Sequence, residues 1–237
     1  MLDELGLPPR GASSRAEVWL LLNSIQKDRN VGSLVRTASA FGATGVIVCG
    51  GLTAKVSMFG AKGAERRIHT VTFPGRSGLA AAVRALGARG IRLVGLEICA
   101  GAAPVHAQGA LLRTDAGGVA IMPGNEASGL SDGQKALCDG FVYIPQYGSG
   151  TASLNVAAAT AIALHYAAIA ANFEEAPKAE DGADKFRVER GGAAADGGDF
   201  VRTELMDAVA AARGAARAAA EADAAAAEFM GWEEQYT

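Results

Sequence analysis

The sequence predicts an α/β fold, a mostly parallel sheet with helices on both faces. Three observations lead there. Short apolar runs rich in Val, Leu and Ile recur between Val18 and Ile144, as expected of strands buried on both sides. Stretches with helical periodicity or high helix propensity alternate with them. Glycine, proline and polar residues cluster where one kind of segment gives way to the other.

Met1 to Ala16, with Pro8-Pro9, Gly11 and Ser13-Ser14, reads as a lead-in arm. Val18–Leu22 (VWLLL) is the first strand. The polar run Asn23–Asn30 ends on an asparagine suited to cap a helix. Val31, Leu34, Val35, Ala38 and Phe41 then form a helical stripe, which Gly42 ends. Val46–Cys49 is a second strand, Gly50–Gly63 a loop or short helix, and Ile68–Phe73 a third strand. Ser77–Ala88 is helical, Ile91–Ile98 a fourth strand and Val119–Met122 a fifth. A short helix over Ser131–Leu137 precedes the sixth strand, Phe141–Ile144. A glycine-bearing loop then leads through Ser153-Leu154-Asn155-Val156 into an alanine-rich helix reaching Ala171. These elements make one domain over residues 17–172. After it, Phe173–Phe200 is charged and Gly-rich and reads as a linker, and Thr203–Phe229 is an alanine-dominated tail.

With 237 residues, half of them apolar, the chain can bury a sizeable core. Ala152–Ala171 is long enough to suggest a membrane span, but Ser153, Asn155, His165 and many alanines favour a packed interior helix. The expectation is a soluble intracellular protein, with cytoplasm favoured. Cys49, Cys99 and Cys138 are odd in number and far apart, so neither a disulfide framework nor a metal site is expected. The formal charge of −3 hides a division: residues 1–175 carry +3 and residues 176–237 carry −6. Between Leu22 and Arg76, Lys27, Arg29, Arg36, Lys55, Lys62, Arg66, Arg67 and Arg76 face only Asp28 and Glu65. That concentration suits a polyanion-facing surface, although solvated helix faces would read the same way.

Three segments interrupt strand ends with glycine, proline and polar residues. They are Asn30–Gly42, Ile121–Ser131 and Ile144–Val156. Singly, each has an ordinary explanation: Asn30 or Ser153 as a helix cap, Arg36 as a surface charge, Gly124-Asn125 as a turn. No GxGxxG, GxxxxGK[ST] or GxSxG occurs, so dinucleotide, P-loop and hydrolase readings lack their fingerprints.

Together the segments are more specific. Asn30, Arg36, Ala38 and Phe41-Gly42 form the first. Gly124-Asn125-Glu126-Ala127-Ser128-Gly129-Leu130-Ser131 form the second, and Ile144-Pro145 with Ser153-Leu154-Asn155-Val156 the third. In type and order they resemble the motifs of the SpoU (TrmH-like) family of SPOUT-class RNA 2′-O-ribose methyltransferases. Ala127 stands where that family often has glycine. The separate N-terminal RNA-binding domain of many members is not expected here.

The resemblance implies a deep C-terminal trefoil knot, a homodimer and S-adenosyl-L-methionine as methyl donor, leaving S-adenosyl-L-homocysteine. The donor would be held by Met122, Pro123, Gly124 and Asn125, by Ile144, Pro145 and Gln146, and by Ser153, Leu154, Asn155 and Val156. Arg36, Asn30, Glu126, Ser153 and Asn155 would serve catalysis. Arg36 is expected to clamp a phosphate and stabilise the 2′-oxygen rather than take up its proton, because a guanidinium stays protonated. Glu126 would orient Arg36 or Asn30. Lys27, Arg29, Arg36, Lys55, Lys62, Arg66 and Arg67 would track RNA phosphates. Transfer RNA is the first expectation for substrate and ribosomal RNA the second, on family frequency. No metal and no membrane is implied. Two rival readings remain: a knotted RNA-binding or assembly factor without turnover, and a related enzyme methylating a base nitrogen.

Overall fold

The structure, a computed structural model, describes residues 7–8, 15–23, 25, 28–50, 60–107, 112, 117–179 and 186–188, with only the backbone at 28 and 29. The alanine-rich tail, most of the linker, Lys27, Lys55 and the Arg29 side chain lie outside the described residues. Seven strands form one sheet: β1 (Glu17–Asn23), β2 (Gly45–Cys49), β3 (His69–Phe73), β4 (Ile91–Leu96), β5 (Ala103–Pro104), β6 (Gly118–Pro123) and β7 (Gly140–Tyr143). Their order is β3-β2-β1-β6-β4-β7-β5, and every pairing is parallel. Helices α1 (Asp28–Ala40), α2 (Gly78–Ala88) and α3 (Asp132–Lys135) lie between strands, and α4 (Val156–Ala170) follows the last one.

The apolar runs behave as two-sided strands should, with successive side chains pointing to opposite faces. On β1, Val18, Leu20 and Leu22 belong to the same core as Val31, Leu34, Val35 and Ala38 of α1 and Ala163, Leu164 and Ala167 of α4. Trp19 and Leu21 join the opposite core with Ala82, Ala85 and Leu86 of α2. The sheet is therefore covered on both faces, as expected.

Several boundaries differ from the sequence reading. Helix α1 begins at Asp28, so Asn30 sits in its first turn and not at its cap; its side chain is taken by a distant partner instead. Strand β4 stops at Leu96, leaving Glu97 and Ile98 beyond the ladder. A seventh strand of two residues, β5, was not expected. Ala103-Pro104 is too short for a period to register, and its proline is tolerated because the strand lies at the sheet edge. Of Ser153 and Asn155, both expected to cap α4, Asn155 does so: its Oδ1 accepts from the Ala157 amide at 2.9 Å. Gly42, at φ 67°, ends the α1 turn as expected.

The order of strands explains what converges. Parallel strands present all their carboxyl ends on one edge, and ligands in such sheets bind there, where the direction of winding reverses. Here that reversal lies between β1 and β6. The segments after β1 and β6 are thus neighbours, and α4, arriving after β7, packs on α1. Among the described residues no helix is long and apolar enough to cross a membrane.

Candidate active site

A cleft of about 500 Å³ opens at the carboxyl ends of β4, β6 and β7, on the β4 side of the reversal between β1 and β6 and not at it, within the ~300–1,000 Å³ of typical small-molecule sites. It is lined by Pro123, Gly124, Asn125, Glu126, Ile144, Gln146, Ser153, Leu154, Asn155 and Val156, all singled out in the sequence, and by Glu97, which was not. Two expected donor contacts fall outside the lining. Met122 is wholly buried in the core on the α2 side, and Pro145 flanks the cleft without facing it. Among the described residues the lining holds two acids, Glu97 and Glu126, and no basic side chain.

The loop after β6 is built residue by residue. Asn125 Oδ1 accepts from the amides of Ala127 and Ser128 at 2.9 and 2.7 Å, turning the chain on itself. Backbone bonds between Asn125 and Gly129 close the turn, with Gly129 at φ 65°, where a side chain is strained. Leu130 is anchored in the core, and Ser131 caps α3 in a capping box with Gln134. The Asn125 side-chain oxygen is thereby spent on the loop itself. Glu97 Oε2 accepts from the Leu130 amide at 2.7 Å.

Glu126 points away from this turn, and its Oε1 accepts from Asn30 Nδ2 at 2.6 Å. The Asn30 Oδ1 in turn accepts from Asn155 Nδ2, at a longer 3.4 Å. One chain of side-chain hydrogen bonds, Glu126–Asn30–Asn155, so joins the three sequence segments across separations of 96 and 125 residues. Of the two expected partners for Glu126, the structure supplies Asn30. Ser153 is exposed and its carbonyl accepts from Thr151 Oγ1 at 2.9 Å, while Gln146 Nε2 donates to the Ala152 carbonyl at 3.3 Å. The loop into α4 is braced by its own polar groups.

Arg36 stands apart. It is exposed on α1, outside the cleft lining, with no hydrogen bond or ion pair seen among the described residues. Six residues at about 100° each place it roughly 120° around the helix from Asn30 and about 9 Å along the axis. The two side chains therefore leave the helix on different faces. Lys62, Arg66 and Arg67 are exposed on the segment 60–67, whose Gly60 passes close to Gly32 of α1. A Cβ on Gly32 would stand 2.7 Å from the Gly60 amide nitrogen. Burial pushes the Cys49 thiol up to about 12 and the Cys138 thiol to about 11. Both stay protonated at neutral pH, and neither lines the cleft.

Residues 17–165 match the model of the SpoU rRNA Methylase family. Among curated proteins, the chain is similar to the 23S rRNA (guanosine-2′-O-)-methyltransferase RlmB of Xanthomonas axonopodis pv. citri. The identity is 36% over 156 residues, 65% of this chain and 58% of that protein. It is 37% over 149 residues to the RlmB of Shewanella oneidensis, 61% of this chain and 56% of that one. The chain thus spans less than two thirds of either relative's length. Among solved structures, the SpoU methyltransferase AviRb from Streptomyces viridochromogenes, in complex with AdoMet, aligns with a TM-score of 0.58 and 28% identity, over 71% of this chain and 64% of that one. An AdoMet-bound rRNA methyltransferase from Sinorhizobium meliloti aligns with a TM-score of 0.55 and 26% identity, over 65% and 56%.

Proposed function

The chain belongs to the SpoU rRNA methylase family, and on that premise we propose that it transfers a methyl group from S-adenosylmethionine to a ribose 2′-hydroxyl of ribosomal RNA. The observation that carries this reading is the Glu126–Asn30–Asn155 chain, which gathers the three motifs at one cleft. The relatives named for 23S rRNA put ribosomal RNA ahead of transfer RNA, reversing the expectation from family frequency.

The cleft fits the donor. Its volume suits a nucleoside-sized ligand, and among the described residues its lining has no basic side chain to repel a cation. The bound donor supplies an electrophilic methyl on a sulfonium. Pro123–Asn125, Ile144, Gln146 and Ser153–Val156 hold it, and the apolar Leu154 and Val156 help to exclude water. Forming the O–CH3 bond would break the S–CH3 bond, leave neutral S-adenosylhomocysteine and release the hydroxyl proton to water at the cleft mouth; the sulfonium charge is lost, so a drier site would favour the step. Asn30, fixed by Glu126 and Asn155, orients the RNA at the mouth. Arg36, outside the donor cleft and always charged, clamps the adjacent phosphate and stabilises the 2′-oxygen. Lys62, Arg66 and Arg67 extend that phosphate track beside α1, and Lys27, Arg29 and Lys55 belong to the same basic stretch.

The homodimer and the trefoil knot are part of the same reading. Support for the knot comes from the path of the chain. Strand β6 inserts between β1 and β4, β7 crosses to the far side of β4, and α4 then returns against α1.

The test is incubation with labelled donor and bacterial ribosomal RNA, followed by digestion and nucleoside mass spectrometry. A 2′-O-methylated nucleoside is expected. A methylated base, or no transfer to any RNA, would overturn the reading. Arg36→Ala should keep donor binding within about twofold while transfer falls by two orders of magnitude or more, as loss of a charge-stabilising group does. Transfer near the wild-type rate would remove Arg36 from the mechanism.

A further inference from the structure

Glu97 follows the last residue of β4, near the middle of the carboxyl edge, and faces the cleft. Its amide donates to the Val142 carbonyl at 3.0 Å, which fixes its root to β7. Its side chain reaches the other way, under the loop after β6, where Oε2 accepts from the Leu130 amide at 2.7 Å. A Cβ on Gly124 or on Gly129 would come within 2.4 Å of that same oxygen. The carboxylate therefore fills the hollow beneath the loop, and the two glycines are what admit it. Leu130 is only 2% exposed, so its amide has little water to turn to if the carboxylate withdraws. From its outer side the same loop holds Asn30 through Glu126. The loop is suspended between an acid below and an acid above.

We propose that Glu97 is a positioning residue of the donor site: its carboxylate oxygen, by holding the Leu130 amide, sets where the Gly124–Leu130 loop stands in the cleft. This rests on the reading that the cleft seats S-adenosylmethionine. Reach and acceptor geometry carry the effect, with net charge secondary, because the contact is a single backbone N–H.

Three variants separate reach from charge. Glu97→Gln keeps the length and an acceptor oxygen but loses the charge. Glu97→Asp keeps the charge and falls one methylene short, and Glu97→Ala loses both. Two readouts apply: calorimetric affinity for S-adenosylmethionine, and hydrogen exchange at the Leu130 amide in donor-free protein. The Gln variant should stay within about threefold of wild type in both. Asp and Ala should lose about tenfold or more in affinity, with Leu130 exchange accelerated by a similar factor. In steady-state transfer the Asp variant should raise the donor KM and leave kcat little changed. An Asp variant that binds like wild type while Gln does not would make charge the cause and overturn the proposal. Unchanged Leu130 exchange in Asp would overturn it as well. If Glu97→Ala fails to fold, the Gln–Asp contrast decides. Should the wild-type chain bind no donor, the proposed function falls, and the exchange measurement still decides what Glu97 holds.

Discussion

At Asn155 one side-chain amide faces two ways. Its oxygen caps α4 through the Ala157 amide at 2.9 Å, and its nitrogen reaches Asn30 across the cleft mouth at 3.4 Å. Removing the side chain should therefore cost both stability and function, and the two can be separated. Asn155→Ala should lose about 1 kcal/mol of stability with the cap and weaken donor binding by about 1–3 kcal/mol, since Asn30 is left short of a partner. Asn155→Ser restores a good cap but is too short to reach Asn30. It should melt like wild type in a denaturant titration and still bind donor poorly by calorimetry. A Ser variant with full donor affinity would show that capping alone is what the site needs. Asn30 itself illustrates what a sequence can carry. Its type and place were legible, and the family resemblance offered Glu126 as a partner; the residues alone read it only as a cap, because Glu126 lies 96 residues away. Glu97 was illegible for a similar reason: it reads as the polar end of a strand until Gly124 and Gly129 are seen to make room for it.

At the scale of elements, the strands with five or more residues were legible to within a residue or two, β1, β2, β4 and β6 because burial on both faces leaves a largely apolar run and the half-buried edge strand β3 (HTVTF) by its β-branched residues. Strand order was not, since β1 pairs with β6 across a hundred residues through backbone groups common to every residue. Helix α4 is the element where sequence and packing disagree most usefully. It is mostly apolar; of its polar residues His165 is exposed and Tyr166 half-buried, while Thr160 is fully buried and its Oγ1 has no hydrogen-bond partner. A buried hydroxyl without a partner is a cost. Thr160→Val has nearly the same size and the same β-branching, so helix propensity is almost unchanged. The variant should gain about 1 kcal/mol, a rise of roughly 2–4 °C in Tm for a domain of this size. A lower Tm in calorimetry would mean that the hydroxyl is satisfied in solution and belongs to the packing.

At the scale of the whole molecule, the other side of α4 raises the larger question. Ala158, His165 and Ile169 are exposed along one stripe of the helix, Ile169 at 61%, and Leu154 extends it towards the cleft. A helix apolar on every side normally lies buried on every side. Among the described residues this one is not. A second copy docked on that stripe would cover it, and α1, which packs beside α4 on the same sheet face, would bring Arg36 close to the junction. The homodimer would then complete the surface that meets RNA, so association and methyl transfer should fail together. Ile169→Glu tests this with little risk to the fold, since an exposed substitution usually changes stability by less than about 0.5 kcal/mol. Sedimentation equilibrium should give a dimer for the wild-type chain and a monomer for the variant at low micromolar concentration. Circular dichroism should be unchanged, and transfer to ribosomal RNA should fall with the dimer fraction. A variant that stays dimeric would move the interface off α4. A wild-type chain that is monomeric yet methylates RNA at full rate would show the cleft to be complete in one copy, leaving the apolar stripe without a catalytic role.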